Sequence, residues 1–70
     1  MTGGPVLAVD QGTSGTKALV LCPERGVIGT GTAPVRPRHL PGGRVEVDPA
    51  ELYGSVVAAG RAALAEAGVP

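Results

Sequence analysis

Two short apolar runs separated by a tight, glycine-bounded link constrain this chain more than any other feature. Residues 5 to 10 (PVLAVD) are continuously apolar up to Asp10, too few for a helix, and they stop against the turn-forming stretch Gln11 to Gly15. Residues 16 to 22 (TKALVLC) are again apolar and β-tolerant, and the link from Gly12 to Gly15 has the length of a hairpin loop. The pattern predicts an antiparallel hairpin with strands at about 5–10 and 16–22. Pro23 and Gly26 stand at turn spacing, after which an extended pattern resumes over about 27–33 and adds a third strand.

From Pro34 to Gly43 the chain carries three prolines and two glycines, with Arg36, Arg38 and His39 among them. Proline lacks the ladder N–H, so residues 34–47 are expected to form a connecting loop. A helix then starts on a sharp signal. Asp48 is placed to cap it, Pro49 follows at the first helical position, and Glu51 stands where a reciprocal capping carboxylate belongs. Val47 and Leu52 are spaced as a hydrophobic staple. Leu52, Val56, Gly60, Ala63 and Ala67 share one predicted face, widened by Tyr53, Val57 and Leu64. Gly68 and Pro70 mark the stop, giving a helix over about 49–67.

An antiparallel meander plus one helix leaves a sheet face and two edges uncovered. A chain of seventy residues is also at the low edge of independent folding, burying only about 60% of its unfolded surface. The single Cys22 closes no internal disulfide, one Cys and one His make no metal cluster, and Tyr53 is the sole aromatic. These features read as the start of a larger domain, with the amino terminus authentic and further chain expected after Pro70. The formal net charge is zero and the five arginines are dispersed, so no nucleic-acid partner is expected. No apolar stretch approaches the roughly eighteen residues of a membrane span and no basic leader precedes residue 5, which points to a cytoplasmic protein.

The segment Asp10 to Lys17 (DQGTSGTK) has the residue types that hold a polyphosphate with magnesium. Gly12 and Gly15 let the backbone approach an anion, Thr13 and Ser14 add short hydroxyls, and Lys17 adds positive charge. Asp10 suits a hydrated Mg²⁺, which takes only one or two protein carboxylates. A Walker A loop is excluded, because the glycine it requires immediately before its lysine is replaced by Thr16 and its first glycine by Gln11. The dinucleotide fingerprint fails as well, because Gly29 and Gly31 are followed by Pro34 where a third glycine is needed. Simpler roles compete for single residues: Asp10 as a turn cap, Lys17 as a solvated strand residue, His39 as an idle loop residue, Cys22 as a small apolar filler.

A phosphate loop made by a β-hairpin resembles the first phosphate motif of the actin-like ATPases, Asp-x-Gly-Thr, here Asp10 to Thr13. Ser14, Gly15, Thr16, Lys17 and Ala18 resemble its version in the FGGY carbohydrate kinases. Gln11 is as in the glycerol kinases of that family, whereas Ser14, Gly15, Lys17 and Ala18 are xylulokinase-like. Residues 41–53 (PGGRVEVDPAELY) resemble the family's Pro-Gly-Trp-Val-Glu-x-Asp-Pro-x-Glu-[Ile/Leu]-Trp entry to its first helix, with an extra glycine, Arg44 for the first Trp and Tyr53 for the second.

The resemblance implies an α/β fold: the start of an actin-like (ribonuclease H-like) ATPase domain covering residues 1–70. It implies ATP and Mg²⁺ as cofactors, transfer of the γ-phosphoryl group to a sugar or polyol hydroxyl, and frequent homo-oligomers. Gly12, Thr13, Ser14 and Gly15 would face the nucleotide phosphates, Lys17 the β- or γ-phosphate, and Asp10 the metal. The catalytic aspartate lies outside this piece, which alone is expected to be inactive. A different actin-like ATPase, a non-catalytic remnant and a small binding module are the competing expectations.

Overall fold

The computed structural model describes residues 4–12 and 14–69. Strands β1 (Val6–Gln11), β2 (Gly15–Cys22) and β3 (Gly26–Pro34) form an antiparallel sheet in the order β1-β2-β3. A small ribbon, β4 (Arg38–Leu40) with β5 (Arg44–Glu46), precedes helix α1 (Pro49–Ala67). The expected α/β arrangement, a three-stranded meander and then one helix, is therefore present.

Each turn has a local cause. Between β2 and β3 the Arg25 N–H donates to the Cys22 carbonyl at 3.2 Å, and Gly26 follows at φ 77°. That is a three-residue hairpin loop closed by a left-handed residue, which favours glycine. Asp48 caps α1 by accepting from the Ala50 N–H at 2.9 Å, and Pro49 occupies the first turn. At the other end Gly68 adopts φ 73°, its N–H donates to Ala65, and the Val69 N–H donates to Leu64. This pair of bonds is a Schellman stop.

The expected loop over 34–47 is corrected by the β4–β5 ribbon, whose register pairs Arg38 with Glu46, His39 with Val45 and Leu40 with Arg44. Pro37 and Pro41 flank β4 and do not interrupt it, so its three residues keep their N–H groups. Pro41–Gly43 makes the reversal, with Gly42 and Gly43 at φ 82° and 76°.

Glu51 is corrected too. It does not complete a reciprocal cap; its carboxylate accepts the Arg36 N–H at 2.6 Å and ties the segment after β3 to the first turn of α1. Near the far end of the helix, Glu66 accepts the Thr30 N–H at 3.1 Å on the outer edge of β3.

One sheet face carries Thr16, Ala18 and Val20 of β2 and Gly29, Gly31 and Ala33 of β3, all buried against α1. The helix meets them with Ser55, Ala59, Gly60 and Ala63. This face is rotated from the predicted one: Leu52, Val56, Val57 and Leu64 are only half-buried at its margins, and Tyr53 is 73% exposed.

The rotation follows from Gly29 and Gly31. A Cβ on Gly31 would press on the backbone of Ala59 and Ala63, and one on Gly29 on the backbone of Ala63 and Ala67. The helix backbone therefore rests directly on β3, and its smallest side chains fill the contact. A register shift after Val20 leaves Ile28 as the extra residue of β3, and Ile28 packs against the core. The largest fully buried side chain is Val20.

The opposite face of the sheet carries Val6 and Asp10 of β1, Lys17 and Leu19 of β2, and Thr30 and Thr32 of β3. Among the described residues no helix is long and apolar enough to cross a membrane.

Candidate phosphate-binding site

The β1–β2 hairpin brings its polar residues to one end of the sheet. Asp10 pairs with Lys17 and Gln11 with Thr16 in the antiparallel register, so Asp10 and Lys17 are cross-strand neighbours on the face away from α1. Residues opposed in this way stand with Cβ atoms about 5 Å apart. Both are exposed, and with Gly12, Ser14 and Gly15 they line an open cleft of about 490 Å³ at the mouth of the hairpin. Five of the six residues singled out from the sequence, Asp10, Gly12, Ser14, Gly15 and Lys17, thus share one cavity. Thr13 lies outside the described residues.

The cleft is held from behind. The Gly12 N–H donates to the Gly15 carbonyl at 2.8 Å and closes the hairpin. That donor is spent within the turn, and what Gly12 offers the cleft is a wall without a side chain. The Ser14 carbonyl accepts the Val35 N–H at 3.1 Å, and Val35 is buried. Since the next N–H, that of Arg36, is bound by Glu51, the loop is linked through residues 35 and 36 to the start of α1.

A second tie was not legible in the sequence. The Thr16 and Ser55 hydroxyls lie 2.7 Å apart in the interior, and the Ser55 hydroxyl donates to the Leu52 carbonyl at 2.7 Å. With its only proton committed to Leu52, Ser55 accepts from Thr16. A chain of two hydroxyls and a carbonyl fastens the base of the hairpin to the helix. Every buried side-chain polar atom among the described residues has a partner.

The donor set fits a magnesium–polyphosphate group. An ammonium, a hydroxyl and a glycine stand close together, and a single exposed carboxylate faces them across one strand spacing. Among the described residues no three of His, Cys, Asp and Glu gather as a metal cage. A hydrated Mg²⁺ needs only one or two protein carboxylates, and Asp10 supplies one at this cleft. The cleft also takes in Thr32 of β3, beside Ala33 and Pro34, which the sequence reading passed over. The strand register places it there, with Thr32 opposite Lys17, and no local sequence signal announces it. His39 is exposed on β4 and Cys22 is a half-buried free thiol at the end of β2, both away from this cleft.

No protein-family model matches the chain. Among curated proteins it is 43% identical over 68 residues to a glycerol kinase of Agrobacterium fabrum, covering 96% of this chain and 13% of that protein. It is 37% identical over 67 residues to a glycerol kinase of Sinorhizobium fredii, covering 96% and 14%. A glycerol kinase of Methylobacterium nodulans is 41% identical over 64 residues, covering 90% and 12%. The chain spans about an eighth of the length of the relatives it matches, and nearly all of it aligns. Along nearly its whole length it is similar to a stretch of these glycerol kinases, and it fits an amino-terminal piece of an FGGY-family carbohydrate kinase.

Proposed function

We propose that this chain supplies the first phosphate-binding hairpin of an ATP-dependent kinase acting on a hydroxyl of glycerol or a closely related polyol or sugar. The observation that carries the reading is the convergence of Asp10, Ser14, Gly15 and Lys17 on one cleft. The relatives named glycerol kinase supply the acceptor class.

In this reading the Lys17 ammonium offsets the charge of the β- or γ-phosphate, the Ser14 hydroxyl donates to a phosphate oxygen, and Gly15 admits the phosphate close to the backbone. Asp10 holds the metal through water. On sequence grounds Thr13 adds a second hydroxyl. Bound Mg·ATP would supply the transferable phosphoryl group, and catalysis would rest on positioning and charge neutralisation. None of the residues assigned to the cleft is a base for the acceptor hydroxyl, so the role we infer for this piece is binding the nucleotide phosphates. A cytoplasmic, homo-oligomeric enzyme is the setting we infer.

Isothermal calorimetry of Mg·ATP binding tests the site. Lys17→Ala should weaken binding about tenfold or more, as expected for loss of a charged hydrogen bond. Asp10→Asn should remove the gain in affinity that Mg²⁺ confers on the wild type. Equal affinities in the wild type and both variants would sink the proposal.

A further inference from the structure

We propose that Thr32 on β3 is a further ligand-binding residue of this site, its hydroxyl donating to a phosphate oxygen of the bound nucleotide. The inference rests on the phosphate-binding reading above and extends it to a residue outside the hairpin motif.

Three observations carry it. The registers Asp10 with Lys17 and Lys17 with Thr32 set a carboxylate, an ammonium and a hydroxyl in one row across three strands. All three lie on the sheet face away from α1 and all are exposed. The cleft at the hairpin mouth is lined by all three.

Neighbouring strands are about 4.8 Å apart, so the row spans about 10 Å with Lys17 at its centre. Asp10 lies on the metal side of Lys17 and Thr32 on the opposite side. A phosphate drawn to Lys17 therefore has oxygens within reach of both neighbours, and those turned from the metal meet a hydroxyl donor at Thr32. Threonine is also a good strand former, which alone would account for its presence on β3. Valine is equally β-branched and nearly isosteric, so it removes the hydroxyl while keeping that preference.

The test is calorimetric titration of Mg·ATP and ADP into the wild-type protein, Thr32→Val and Thr32→Ser, with thermal unfolding of each. Thr32→Val should bind about tenfold more weakly with an unchanged Tm, and Thr32→Ser should stay within about twofold of wild type. If Thr32→Val perturbs folding, Thr32→Ala replaces it under the same expectation.

Wild-type affinity in the hydroxyl-free variant overturns the inference, as does an equal loss in Thr32→Ser. If the wild type binds and Lys17→Ala weakens binding while Thr32→Val does not, this inference fails alone. Failure of the wild type to bind nucleotide overturns the phosphate-binding reading and this inference together.

Discussion

Gly31→Ala probes the close approach of α1 to β3. A Cβ built at residue 31 would stand 2.7 Å from the Ala63 nitrogen, 0.7 Å inside the 3.4 Å at which ordinary contact begins. It would also lie 2.8 Å from the Ala62 Cβ and press on the Ala59 carbonyl. Two of these three obstacles are helix backbone, which cannot rotate aside as a side chain would. The helix must back away along much of its length, and Ala59 and Ala63, both at 0% exposure, lose part of their packing. Overpacking of this kind costs about 1–3 kcal/mol, and the rigidity of the obstacles places this site near about 3.

In a domain of this size about 1 kcal/mol moves Tm by roughly 4–8 °C, so a fall of at least about 10 °C is expected in far-ultraviolet circular dichroism melts. Gly54→Ala is the matched control. It makes the same chemical change on α1, with nothing within 4 Å of the new Cβ. It should stabilise by about 0.5–1 kcal/mol through helix propensity. A Gly31→Ala protein as stable as the wild type would refute the claim that glycines on β3 set the seating of the helix.

The remaining predictions concern the attachments of the hairpin and the helix. Ser55→Ala strands the buried Thr16 hydroxyl and should cost about 1–3 kcal/mol, whereas adding Thr16→Val removes the orphan and should recover most of the loss. A urea-denaturation double-mutant cycle reads this, and strictly additive losses would contradict the hydroxyl chain. Asp48→Ala removes the acceptor for the Ala50 N–H and should cost about 1 kcal/mol, while Asp48→Asn retains most of the stability. Equal losses in the two variants would mean that capping is not what Asp48 contributes.

Helix α1 was readable from end to end because its limits are set by near neighbours: Asp48 and Pro49 at the start, Gly68 at the stop. The β1–β2 hairpin was readable for the same reason. Asp10, Gly12, Ser14, Gly15 and Lys17 line one cleft because they fall within that same short segment. The loop expected over 34–47 failed because a proline removes only its own N–H. Three residues between Pro37 and Pro41 suffice for a short ladder once Gly42 and Gly43 reverse the chain.

What depended on long-range register was not legible. The period of α1 favours a stripe through Leu52 and Val56, yet the buried face is set by β3. Gly29 and Gly31 admit the helix backbone so closely that Ser55 and Ala59, with Ala63, are the residues that fit beneath it. That seating brings the Ser55 hydroxyl to Thr16, and nothing near residue 55 in the sequence announces it.

Thr32 follows the same logic. Its place opposite Lys17 depends on the length of the β2–β3 turn and on the extra residue Ile28. If the same sequence paired without that bulge, every β3 residue beyond Val27 would slip by one, sending the Thr32 side chain to the helix face and Gly31 to the cleft. The bulge thus fixes two things at once: which β3 residue joins the hairpin cleft, and which glycines receive the helix that braces the cleft from behind.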